Sequence, residues 1–255
     1  MARALKENDA ARNWTFLSHA EAFREAEYLE KADVIINCAY HPDLRSGLYS
    51  PEKDIDLLLA RRIENIDVHY IMLSSRAVYG KAPDNLLLSE NMLPRPESFY
   101  ARNKYKTEQA LQEVLRDRLT ILRLANIFGY EPGRKSFFGQ MIDGLKTNET
   151  ISFDIAPDSR RDFLPVYHAA DYIVQIALNP RAGVYNIGSG IGLQAHEIAD
   201  WLIEACGYGK VLYSGQSYKG QFIFDIDKAR EVFDLKALNI LDVRNAVRDI
   251  ASKIN

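Results

Sequence analysis

Residues 70–80 read YIMLSSRAVYG, and residues 98–111 read SFYARNKYKTEQAL. The first is an apolar run of strand length that ends in Ser74 and Ser75. The second has the spacing of an amphipathic helix and carries Tyr100 and Lys104 at i and i+4, on one helix face. The same alternation repeats along the chain. Trp14–Leu17, Asp33–Cys38, His69–Leu73, Leu119–Leu124 and Val184–Ile187 read as buried strands. Ala20–Lys31, Lys53–Asn65, Tyr100–Asp117 and Ala169–Leu178 read as helices. Strand-then-helix order predicts an α/β fold: a Rossmann-like, doubly wound parallel sheet with helices on both faces. Gly80, Gly129 to Gly133 and Gly188-Ser189-Gly190 punctuate the strand ends, where open parallel sheets bind their ligands.

A phenol has an ordinary pKa near 10 and moves protons poorly at neutral pH. An ammonium one turn away favours its charged form, and a nearby serine hydroxyl can hold the substrate oxygen while the proton moves. Ser75, Tyr100 and Lys104 are therefore a candidate set for interconverting a secondary alcohol and a ketone. Tyr-x-x-x-Lys alone is weak evidence, since a solvated helix face shows it too. The Ser-Ser at a strand end upstream adds the weight.

The chain has 255 residues, 47% hydrophobic and 26% charged, with a formal charge of -3. No basic excess points to nucleic acid or an anionic membrane as the main partner, though a few local Arg or Lys residues can hold a small anionic ligand. No apolar stretch approaches the ~18 residues of a membrane span, and the first residues lack a signal-peptide core. The two cysteines, Cys38 and Cys206, fit a reduced cytoplasmic protein, and Cys38 reads as a buried thiol. The five histidines have no metal-ligand spacing, so no metal is expected. His41 is either a pocket residue or a polar loop residue. For Tyr79 and Phe128 the better reading is core, and for Arg134 and Lys219 solvated surface.

Seven segments in order, from about residue 33 to 235, resemble the extended short-chain dehydrogenase/reductase superfamily, in its nucleotide-sugar epimerase/dehydratase branch. They are ADVIINCAY, LSSRAVYG, LSENMLPRPESFYARNK, LRLANIFGYEPG, RRDFLPVYHAADYI, GVYNIGSG and FDIDKAREVFDL. The resemblance implies a Rossmann-like domain (1–129 and 164–190) with a small C-terminal substrate-binding lobe (130–163 and 191–255). It implies Ser75 as the catalytic serine, Tyr100 as acid/base and Lys104 as its partner and a holder of the nicotinamide ribose. Ser18, Cys38 and Ala39 would face the dinucleotide. Asn126 and Arg161 would bind a nucleoside-diphosphate sugar, Arg161 by a charge-assisted fork to the diphosphate. An ion pair of Arg161 with Asp158 or Asp162 is the competing reading. A homodimer is implied as well.

The chain departs from the family's pattern in five places. Arg76 and Ala77 stand where sugar 4,6-dehydratases carry an acidic pair, which leaves epimerase or 4-ketoreductase. Tyr167-His168 replaces an acid, and the asparagine of the helix after the fourth strand has Asp54 as its nearest counterpart. Ser18 and His19, with no acid for an adenosine ribose, lean the cofactor from NAD toward NADP. The family's opening strand and Gly-x-x-Gly-x-x-Gly loop have no counterpart, the first glycine being Gly47. The expectation is that a central strand is missing, exposing two ladder edges. A late start to the sequence explains this best, because the downstream set is intact. A true loss of cofactor binding, giving a non-catalytic sugar-nucleotide binder, and a partner segment filling the gap are the alternatives.

Overall fold

A computed structural model describes residues 1–81, 87–133, 136–156, 158–217 and 221–254. Arg134 and Lys219 lie outside the described residues. The chain opens with α1 (Ala2–Lys6), α2 (His19–Arg24), α3 (Ala26–Glu30), β1 (Val34–Asn37), α4 (Ile55–Arg62) and β2 (His69–Ser75). It continues through α5 (Phe99–Leu115), β3 (Leu119–Leu124), β4 (Asn126–Phe128), α6 (Phe137–Asn148), β5 (Thr150–Ile155) and β6 (Arg160–Pro165). Then come α7 (Val166–Leu178), β7 (Gly183–Ile187), β8 (Gly192–Gln194), α8 (Ala195–Cys206), β9 (Lys210–Ser217), α9 (Asp227–Phe233) and α10 (Ile240–Ala251).

The main sheet is parallel throughout, in the order β1-β2-β3-β7. Its strands are apolar on both sides because both sides are covered. Along β2, Tyr70 and Met72 join a cluster with Leu59, Ile63, Leu111 and Leu115 of and beside α4 and α5. Ile71 and Leu73 face the opposite cluster, with Ala170, Ile173 and Ala177 of α7 and Phe233 of α9. That is the doubly wound architecture expected from the alternation. A third core gathers Phe128, Phe163 and side chains of α6, α8 and α10. Around it β4 pairs parallel with β6, β6 antiparallel with β8, and β5 parallel with β9.

Two local readings need correction. Trp14–Leu17 forms no strand. A strand needs a ladder partner for its N–H and C=O groups, and among the described residues none pairs with the free edge of β1. Trp14 and Leu17 instead contribute only side chains, one to each face's core. The sheet therefore has one open edge there rather than two. Ala20–Lys31 is also broken, at Glu25, whose backbone (φ -109°, ψ 73°) ends α2.

Candidate active site

The site is built where β2 ends. Ser75 is the last residue of that strand, and its hydroxyl accepts the Ala77 N–H at 3.2 Å, capping the short 3-10 turn Arg76–Tyr79. The turn closes at Gly80, with φ at +71°, where a Cβ would collide with the Arg95 carbonyl. Ser98 caps α5 by accepting the Ala101 N–H, which puts Tyr100 in the first turn and Lys104 one turn later. Ala101, Lys104, Glu108, Leu111 and Leu115 form the buried stripe that lays α5 along the sheet.

Lys104 is only 5% exposed. Its Nζ donates to the Leu73 carbonyl at 2.9 Å and lies 3.6 Å from Asp56 Oδ2. Tyr40 covers both members of the pair: its ring meets the Tyr100 ring edge-on at 5.5 Å, and Lys104 Nζ lies 4.5 Å from its centroid. The sequence reading missed Asp56. Its carboxylate also accepts Asn37 Nδ2 at 2.8 Å and the Tyr70 hydroxyl at 2.9 Å. Burial pushes its pKa up, and the Lys104 ammonium pulls it back. The available signal was a lone carboxylate inside the apolar face of IDLLLARR. Asp54, the expected counterpart, caps α4 and accepts Tyr49 and Thr107 hydroxyls instead.

Asn126 and Arg161 sit on β4 and β6. Asn126 Nδ2 donates to the Asp162 carbonyl and its Oδ1 accepts Arg76 Nε, each at 2.9 Å. Arg161 lies against the Phe137 and Phe222 rings, 5.2 and 5.5 Å from their centroids. The Asp162 carboxylate, a suggested partner of Arg161, turns the other way. It accepts Ser189 N (2.8 Å), Ser189 Oγ (2.7 Å), Gly190 N (3.0 Å) and Phe224 N (3.4 Å).

The cofactor-facing residues are mixed. Ala39 exchanges both backbone hydrogen bonds with the Asn37 side chain at the end of β1. Cys38, read as buried, is exposed. It lies beyond the last residue of β1, the strand with the unpaired edge. Protein around the sulfur still desolvates the thiol and holds it up at about 11. The Ser18 hydroxyl is engaged in a capping box with Glu21 at the start of α2. His41 accepts the Asp43 N–H as a loop cap, and Tyr79 and Phe128 are core residues, both 3% exposed.

Cys38 lies within electrostatic reach of Asp56 and Lys104, and Tyr40 of the same loop packs on Tyr100 and Lys104. A pyrophosphate needs backbone N–H groups at a helix N-terminus approached through small residues. Among the described residues no glycine-rich turn precedes β1, so the residues present fit the nicotinamide end alone. A surface cavity of about 520 Å³ lies elsewhere, lined by residues such as Asp143, Asn148 and Thr150. None of its lining residues belongs to this set. Among the described residues there is no cluster able to hold a metal ion and no helix long and apolar enough to cross a membrane.

One family's sequence model, described as the NAD dependent epimerase/dehydratase family, matches residues 3–188. The chain belongs to that family. It is thus an enzyme-family member of the extended short-chain dehydrogenase/reductase type. Solved structures share the fold of this epimerase/dehydratase chain at low identity. UDP-glucose 4-epimerase from Thermotoga maritima, solved with UDP-glucose, is 21% identical with a TM-score of 0.77, over 92% of this chain and 81% of that one. UDP-glucuronic acid 4-epimerase from Bacillus cereus, solved with UDP-glucuronic acid and NAD, is 20% identical with a TM-score of 0.74, over 90% and 78%. RMD from Pseudomonas aeruginosa, solved with NADPH, is 20% identical with a TM-score of 0.70, over 87% and 81%.

Proposed function

We propose that this chain is a nicotinamide-dependent nucleotide-sugar epimerase or 4-ketoreductase acting at C4 of a nucleoside-diphosphate hexose. One observation carries the reading. Ser75 stands at the carboxyl end of β2, and Tyr100 and Lys104 sit one turn apart at the start of the helix packed on that strand, with Lys104 fixed to the strand two residues before Ser75. Tyr100 would exchange a proton with the C4 oxygen, which the Ser75 hydroxyl would hold. A nicotinamide, when bound, supplies the hydride exchange. Asn126 and Arg161 would hold the sugar nucleotide. Arg76 and Ala77 offer no carboxylate for water elimination, which speaks against a 4,6-dehydratase. Proteins of the same fold are solved with UDP-glucose, with UDP-glucuronic acid and NAD, and with NADPH. NADP over NAD, the lobe boundaries at 130–163 and 191–255, a cytoplasmic location and pairing into a homodimer belong to the same proposal.

Tyr100→Phe tests it. Removing a general acid/base lowers turnover by about 10² to 10⁴, with thermal stability and sugar-nucleotide binding kept. Retained turnover takes Tyr100 out of the reaction. A second reading, a sugar-nucleotide binder without its own redox step, is favoured by the near-complete burial of Lys104 against Leu73 and Asp56. Titration of NADH and NADPH, followed by nicotinamide fluorescence, separates the two. Enhancement supports the enzyme, and silence from a folded chain supports the binder.

A further inference from the structure

Arg76 has no role in the proton relay, yet it adjoins Ser75 in the turn that closes β2. Its Nε is held by the neutral Asn126 amide at 2.9 Å, and its guanidinium carbon lies 4.3 Å from the Phe222 ring centroid. Arg161 reaches the same ring. Among the ionisable groups that act on Arg76 are Arg161, Tyr100 and Asp162. The Asp162 carboxylate is committed to the Ser189-Gly190 turn. Among the described residues no carboxylate makes an ion pair with Arg76. A half-buried cation gripped by an amide and standing near a second cation is held against both desolvation and like-charge repulsion. An incoming anion relieves both at once.

The chemistry of a hexose says which anion that is. The diphosphate hangs from C1, across the ring from C4. A C6 carboxylate hangs from C5, next to C4. With the Ser75 hydroxyl on the C4 oxygen, as proposed above, the next side chain in the turn would be placed to meet a C6 carboxylate. We propose that Arg76 is a specificity-determining residue that binds a carboxylate on the sugar ring, so that the substrate class is a nucleoside-diphosphate hexuronate or a similar acidic sugar. The inference rests on the sugar-nucleotide reading above and narrows it.

Calorimetric titration of the whole chain with matched pairs tests it: UDP-glucose and UDP-glucuronate, dTDP-glucose and dTDP-glucuronate, GDP-mannose and GDP-mannuronate. In the nucleotide series that binds, the uronate binds about tenfold or more tightly than its neutral partner, the scale of one charge-assisted contact. Arg76→Gln brings that ratio near one, and Arg76→Lys keeps part of it. Equal wild-type affinities overturn the inference. So does a loss in Arg76→Gln that is the same for both sugars, which marks a diphosphate contact. Either result leaves the sugar-nucleotide reading standing. Absence of binding by all six overturns that reading, and the inference with it. If Arg76→Gln does not fold, the wild-type ratio and Arg76→Lys decide.

Discussion

His69 opens β2 half-buried, its Nε2 at 2.7 Å from the Thr120 hydroxyl, which itself donates to the Arg181 carbonyl at 2.7 Å. Burial, then the nearby Arg118, lower its pKa from the ordinary 6.5. The folded state therefore binds this proton less readily than the unfolded chain. The associated stability is fully present above about pH 6.5 and is lost as pH falls below it. Urea midpoints for wild type and His69→Gln between about pH 5 and 8 check this. The wild-type advantage shrinks on acidification; a constant gap refutes it. Single residues also show how far local reading reaches. The strand end that carries Ser75 and the helix that carries Tyr100 and Lys104 were legible because each depends on spacing within one short segment. Asp56 was not, since its partners Asn37, Tyr70 and Lys104 come from three other elements.

At the scale of elements, α5 is more than the carrier of Tyr100. One helical turn beyond Lys104, Glu108 accepts Arg123 Nε at 3.2 Å and Nη2 at 2.6 Å, and accepts the Ser74 hydroxyl. Burial alone would lower the Arg123 pKa, but its bonds to Glu108 raise it overall. The fork ties α5 to β2 and β3 directly beneath Ser75. Glu108→Gln leaves a buried guanidinium short of its counter-charge, at a cost of about 3–5 kcal/mol. For a chain of this size the melting temperature should fall by roughly 10 °C. A calorimetric shift under a degree would show that the pair is replaceable. The main-sheet strands that the alternation predicts are present, and so are its helices apart from the break at Glu25. The strand expected at Trp14–Leu17 is not, because hydrophobic spacing reports burial and carries no information about a ladder partner.

At the scale of the whole molecule, Asp162 joins regions distant in sequence. From β6 it holds the turn after β7 and the backbone at Phe224, while Asn186 of β7 donates to the carbonyls of Leu88 and Asp225. Gly188 is required here, since a Cβ would strike both the Asp162 carboxylate and the Phe224 ring. Asp162→Ala strands the Ser189, Gly190 and Phe224 donors and should cost about 3 kcal/mol or more. Asp162→Asn, which keeps one acceptor oxygen, should cost less. Chemical denaturation of both variants checks the order; equal stability of wild type and Asp162→Ala would mean that the turn is held by other contacts.

By itself, the amino-acid sequence determined the parallel, two-faced sheet and the strand end and helix that carry Ser75, Tyr100 and Lys104, because period-two and period-3.6 patterns and i, i+4 spacing are properties of neighbouring residues. The tertiary structure alone decided that Lys104 is buried on Asp56, that Asp162 serves the Ser189 turn rather than Arg161, and that Arg76 and Arg161 share the Phe222 ring. Those contacts join segments tens of residues apart. The direction of a buried charge is set by which donors and cations the fold brings within hydrogen-bond reach, and chain spacing does not encode that.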